Sequence, residues 1–226
     1  MALSPTLPAG LESSGNSRPT DIWVVAVANP LRSVKGDSEY LKRIIANLNT
    51  PVVLVGHSYG GAVISEAANK GEKIKSLVYV SAFAPEIGES ALELSGKFPG
   101  STLSPTLDKP VELENGVKDL YIQQDKFHKQ FAADVSDKAA AAMAASQRPV
   151  TDVALGEAAT NAGWKEIPSW SIFGSADKNI PPEAMKWMAK RSNAKETVEV
   201  KGASHVVMVS HPDRVAKVIE DAAASQ

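Results

Sequence analysis

The sequence predicts an α/β fold: a mostly parallel sheet flanked by helices and interrupted by a helical cap insertion. Three observations predict it. Short apolar runs at residues 22–28, 52–55, 77–80, 171–173 and 197–200 alternate with stretches of helical character, the rhythm of strands joined by crossover helices. Several of these runs are continuously apolar rather than alternating, as expected of strands buried on both faces. The third observation is Gly56-His57-Ser58-Tyr59-Gly60. It follows the strand-like run from Pro51 to Val55 and precedes the helix-like run from Ala62 to Ala68, the strand–turn–helix context in which a G-x-S-x-G segment presents a serine above a sheet edge.

In chain order, residues 1–20 are rich in Pro, Ser and Gly without periodicity and read as a flexible arm. Residues 21–226 read as one domain. Residues 22–28 form a buried strand ended by Asn29-Pro30. Tyr40, Leu41, Ile44, Ile45 and Leu48 share one helical face. The strand Val52–Val55 leads through the serine turn into a helix over 60–70 that stops near Gly71. Leu77–Val80 is the next strand, and Ser171–Phe173 and Thr197–Val200 are the last two. Pro181-Pro182 opens a helix running to Lys190, and Pro212 opens a final helix with Val215, Val218 and Ile219 on its inner face. Residues 84–164 break the rhythm. They hold Tyr121, Phe127, His128, Phe131 and the alanine run 139–145. This segment lacks a clear strand and reads as a mostly helical cap over the side carrying Ser58.

Composition narrows the function classes. With 226 residues, 43% hydrophobic and 22% charged, the chain can bury a sizeable core. A net charge of −2 gives no electrostatic attraction to nucleic acid or an anionic membrane. The absence of cysteine removes thiol nucleophiles, disulfides and thiolate metal sites. No apolar run reaches membrane-spanning length, and residues 1–20 lack the basic and apolar regions of a signal peptide, so a cytoplasmic location is expected. There is no H-E-x-x-H, no G-x-G-x-x-G after a strand and no G-x-x-x-x-G-K, so neither a metal nor a nucleotide cofactor is expected. Met185, Trp187 and Met188 read as core packing on one helix.

A serine hydroxyl needs a base, and the base needs an orienting group. Asp177 follows the strand 171–173, and His205 follows the strand 197–200. Parallel strands end on one common edge, so Ser58, Asp177 and His205 can converge there. Asp177 has a plainer reading as a cap or Asx turn before the helix at Pro181. Of the other histidines, His57 lies within the serine turn and is expected to point away from the hydroxyl and serve packing and hydrogen bonding. His128 could touch substrate or lie at the surface. His211 is expected at a helix N-terminus.

These residues resemble the α/β-hydrolase superfamily, in particular its small esterase branch of bacterial esterases and the plant methylesterase and hydroxynitrile-lyase group. The resembling pieces are residues 53–61, 77–85, 173–177 and 202–205. The resemblance implies that Ser58 is the nucleophile, His205 the general base and acid, Asp177 the orienting carboxylate and the Tyr59 backbone amide one oxyanion donor, with residues 84–164 as the cap. One departure stands out. Family members begin with a buried strand ending in a His-Gly loop that supplies a second oxyanion amide, between the strands matching residues 22–28 and 52–55. No apolar strand or His-Gly precedes Ile22. Three outcomes follow: the flanking strands pair directly, the N-terminal arm fills the gap, or a second chain donates a strand.

The expected activity is hydrolysis of a small carboxylic ester through an acyl-enzyme, with no cofactor, a small-molecule ester as substrate and neither nucleic acid nor membrane as a partner. Non-hydrolytic chemistry of the hydroxynitrile-lyase kind on the same three residues is the alternative. It calls for a dedicated lysine; Lys178, adjacent to Asp177, reads more plainly as a solvated charge. A third reading is a weakly active small-molecule-binding protein of the same fold.

Overall fold

The computed structural model describes residues 22–71 and 73–225. Its main sheet is fully parallel and contains β1 (Val52–Ser58), β2 (Ile74–Ala82), β6 (Ser169–Gly174) and β7 (Glu196–Val200), in the order β1-β2-β6-β7. The registers pair Leu54 with Leu77, Val78 with Trp170 and Ile172 with Val198. β-branched and aromatic residues dominate these strands because their side chains pack well on a pleated surface.

Helices cover both faces. On one lie α1 (Val34–Ala46), α2 (Gly60–Ala67) and α7 (Pro182–Arg191). On the other lie α8 (Val207–Ser210) and α9 (Pro212–Ala224). The alternation of side chains along a strand divides the core accordingly. Leu77 and Tyr79 join Leu54, Phe173, Ile64 and Met188 on the first face. Val78 and Val80 join Trp170, Ile172, Val215 and Val218 on the second. Helix starts follow their chemistry. The Ser33 hydroxyl accepts from the Gly36 amide at the start of α1, and Pro182 occupies the first turn of α7, where a missing N–H costs nothing. Met185 and Met188 are buried as expected, whereas Trp187 is only partly buried against them. On α1 the inner face is Val34, Leu41 and Ile45, and Tyr40 points outward at 40% exposure.

Two expectations are corrected. First, residues 22–28 are not a strand. They carry no sheet pairing among the described residues, and Trp23 and Val24 are 78% and 76% exposed. β1 is the edge of the described sheet and pairs only with β2 among the described residues; residues 22–28 are not bonded to its other side. Val55, in the middle of β1, is accordingly 44% exposed. The flanking strands therefore do not pair directly. The arm of residues 1–20 lies outside the described residues, and donation by a second copy would require another chain.

Second, the segment between β2 and β6, read as lacking a clear strand, does contain strands. Beside α3 (Ala91–Gly96), α4 (Gln124–Phe131), α5 (Asp137–Ala145) and α6 (Asp152–Gly156), it holds a small antiparallel sheet of β3 (Val111–Glu112), β4 (Lys118–Leu120) and β5 (Val150–Thr151). Strands of two or three residues are too short to display an alternating pattern. This sheet is tied to the body by the Arg32–Asp119 ion pair at 2.5 Å and by the Thr151 amide, which donates to the Leu31 carbonyl at 3.2 Å.

Candidate active site

β1 runs directly into α2 through Ser58, whose φ of +54° places it in the left-handed region. For a residue with a Cβ that conformation costs about 1–2 kcal/mol, and it turns the chain sharply enough for the hydroxyl to leave the sheet edge. A side chain at Gly56 would come within 2.5 Å of the Gly60 carbonyl oxygen, so the entering strand and the departing helix touch there. At Gly60 itself a Cβ would meet nothing within 4 Å. The crowded partner is Gly61, where a Cβ would collide with the Phe83 carbonyl at the end of β2. The tight packing thus rests on Gly56 and Gly61, not on the two glycines of the motif alike. Gly56→Ala is expected to cost about 1–3 kcal/mol or more, while Gly60→Ala, in a helical first turn, stays within about 1 kcal/mol of the parent or is slightly stabilising. Urea unfolding of the two variants checks this, and equal losses would contradict it.

β6 and β7 bring the other two residues to the same edge. Their exit loops are laced together: the Ser175 amide donates to the Val200 carbonyl at 2.9 Å, the Ala176 amide to the Ala203 carbonyl at 3.0 Å, and the Gly202 amide to the Ser175 hydroxyl at 2.8 Å. Gly174 has no room for a Cβ, because the Ala203 carbonyl occupies that space. This contact lets Asp177 meet His205. One carboxylate oxygen of Asp177, Oδ2, lies 2.6 Å from His205 Nδ1, and both side chains have 0% exposure. The other oxygen, Oδ1, accepts from the amides of Asn179 at 2.8 Å and Ile180 at 3.0 Å. One oxygen thus makes the bonds of an Asx turn, and the other faces the His205 ring.

With Asp177 accepting from Nδ1–H, the neutral ring carries its lone pair on Nε2. Nε2 is buried and has no hydrogen-bond partner among the described residues. No hydrogen bond joins it to Ser58 among them. In unliganded sites of this kind such bonds are often long and tighten on substrate binding.

The remaining expected residues fall as follows. Tyr59 starts α2, where the first amides of a helix lack intrahelical partners. Its side chain bonds to α1. It is buried, and its hydroxyl donates to Asp37 Oδ2 at 3.2 Å. Burial pushes the Asp37 carboxyl above its usual range, although bonds from the Arg32 amide and the Tyr59 hydroxyl pull the other way. His57 packs beside His205. Its Nε2 lies 2.9 Å from the His205 carbonyl oxygen, and the two rings are 4.7 Å apart. His128 faces Val135 and Asp137 within the insertion, a structural role. His211 immediately precedes α9, as expected. Lys178 is exposed at its tip and donates to the Lys129 carbonyl at 3.2 Å. Phe131, noted above only as part of the insertion, packs edge-on against the His205 ring at 4.7 Å. Sequence reasoning missed Gln130, Asp134 and Ser204, which bond around the Asp177 and His205 loops. Only the amphipathic period of α4 marks that helix as packed, and no local pattern signals what it packs on. Among the described residues no group of three or more His, Cys, Asp or Glu side chains is placed to hold a metal ion, and no helix is long and apolar enough to cross a membrane.

Comparison with known proteins gives the family and the fold. The model of the alpha/beta hydrolase family matches residues 3–218. The chain belongs to that family. It is 30% identical over 222 residues to an alpha-hydroxynitrile lyase of Arabidopsis thaliana, covering 91% of this chain and 85% of that one. It is 28% identical over 233 residues to polyneuridine aldehyde esterase of Rauvolfia serpentina, covering 93% and 86%. A crystal structure of polyneuridine aldehyde esterase superposes with a TM-score of 0.70 over 86% of this alpha/beta hydrolase and 81% of that chain, at 24% identity, a likeness of fold.

Proposed function

We propose that this alpha/beta hydrolase cleaves a small carboxylic ester through an acyl-enzyme. The observation that carries the reading is the fully buried Asp177–His205 contact at 2.6 Å, on the same sheet edge as a serine held at positive φ. In this mechanism Ser58 attacks the ester carbonyl while His205 Nε2 takes the hydroxyl proton. Asp177 stabilises the imidazolium, and the Tyr59 amide stabilises the oxyanion. His205 then returns the proton to the leaving alkoxide. Water, activated by the same nitrogen, attacks the acyl-serine and releases the acid, regenerating Ser58. The segment between β2 and β6 acts as a cap, with Phe131 as part of the apolar wall beside the base. No metal or organic cofactor takes part.

The test is the time course of p-nitrophenyl butyrate hydrolysis at high enzyme concentration, with mandelonitrile cleavage measured in parallel. A burst of nitrophenol approaching one equivalent per chain, ahead of butyrate release, is expected. The lyase-named relative at 30% identity favours a second reading, and mandelonitrile cleavage without ester turnover would select it.

The oxyanion site has one assigned donor, the Tyr59 amide. Loss of one such donor typically costs about 10²–10³ in rate. Grafting a strand with a His-Gly loop onto the N-terminus is therefore expected to raise kcat by about that factor. An unchanged turnover number would show that the second donor is already supplied.

A further inference from the structure

We propose that Gln130, in the last turn of α4, and Asp134, in the turn that follows it, are positioning residues for the Asp177–His205 pair, so that the insertion as well as the sheet sets the geometry of the site. The proposal rests on the esterase reading above and deepens it.

Gln130 is only 5% exposed. A carboxamide pays heavily for burial unless its polar atoms are bonded, and here they are bonded to the acid loop. Its Nε2 donates to the Lys178 carbonyl and to Asn179 Oδ1, each at 3.0 Å. Its Oε1 accepts from the Thr102 hydroxyl at 2.9 Å, and the Thr102 amide in turn donates to the same Lys178 carbonyl at 2.9 Å. Gln130 therefore holds the backbone of the residue after Asp177 and the side chain of the next. The Asn179 amide is itself a donor to Asp177 Oδ1. Movement of this loop moves the carboxylate.

Asp134, four residues on, holds the other loop. It accepts a short hydrogen bond from the hydroxyl of Ser204, the residue immediately before His205. Burial alone would raise the Asp134 carboxyl, but hydrogen bonds from Ser204 and Ser210 outweigh it and keep the group below its usual range, so it is an acceptor at neutral pH. Between the two grips Phe131 lies against the His205 ring at 4.7 Å and the His57 ring at 6.2 Å. Within five residues, the end of α4 and the turn after it thus touch the acid loop, the ring of the base and the residue that precedes the base. Nucleophile activation is sensitive to such placement: a displacement of about 1 Å can cost about 10²-fold in rate.

The experiment compares the full-length parent with Gln130→Leu, Asp134→Ala and Asp134→Asn. It measures kcat and KM on p-nitrophenyl butyrate, the rate of labelling by a fluorophosphonate, and the melting temperature. Gln130→Leu and Asp134→Ala are expected to lower kcat and the labelling rate by about 10–100-fold with KM within about threefold of the parent. Asp134→Asn keeps an acceptor oxygen for Ser204 and is expected to recover labelling to within about threefold of the parent. The proposal is overturned if Gln130→Leu and Asp134→Ala label at the parent rate, if their losses follow the unfolded fraction and vanish on cooling, or if Asp134→Asn is as slow as Asp134→Ala. A parent that neither turns over ester nor labels would instead defeat the esterase reading, and this proposal with it. An active parent with unaffected variants defeats this proposal alone.

Discussion

Ser58→Ala is expected to abolish the nitrophenol burst and to lower kcat by about 10⁶-fold, the scale seen when the nucleophile of such a triad is removed. The fold should survive. Ser58 occupies a left-handed position that costs alanine about as much as serine, and no structural hydrogen bond of its hydroxyl is present among the described residues. The parent and variant should therefore melt within a few degrees of each other. The residual rate should come from the oxyanion donors and substrate binding alone. A variant that keeps the burst would place the acylated residue elsewhere and remove Ser58 from the mechanism.

Asp177→Asn is expected to lower kcat by about 10⁴-fold while leaving the loop in place. The amide oxygen can take over the two bonds that Oδ1 accepts from the Asn179 and Ile180 amides. The amide nitrogen then faces His205 Nδ1 where an acceptor stood before. Two donors cannot share that 2.6 Å contact, so the ring adopts the other tautomer, with its proton on Nε2. In that state it cannot accept the Ser58 proton. The variant should bind substrate with a KM close to that of the parent and unfold at a similar urea concentration. A rate within tenfold of the parent would mean that Asp177 serves only as the Asx turn before α7.

The legible parts of the sequence were those written locally. Most strands of the main sheet contain short apolar runs and β7 alternates, and the starts of α7 and α9 are marked by prolines, so their approximate positions in the chain follow from pattern alone. The three residues at the sheet edge follow from the topological rule that parallel strands deliver their exits to one side. What could not be read locally depended on pairing. Residues 22–28 have the composition of a strand, yet Trp23 is 78% exposed: composition does not make a strand without pairing, and none of these residues is paired among the described residues. The strands of the small antiparallel sheet are too short to carry a period. Gln130 and Asp134 act across 49 and 70 residues of chain, on Asn179 and Ser204, and contacts of that range leave no mark in either segment. Gly60 shows the converse: it belongs to the recognisable motif, yet the space around it is open and the constraint falls on Gly61.

The central claim is that the buried Asp177–His205 pair makes Ser58 a nucleophile. The most direct measurement is the intact mass of the protein after treatment with a fluorophosphonate, with Ser58→Ala as the control and circular dichroism to establish that both are folded. One phosphonyl adduct on the parent and none on the variant is the predicted result. A folded parent that remains unmodified would contradict the claim, showing that the three residues share a sheet edge without forming a working catalytic unit.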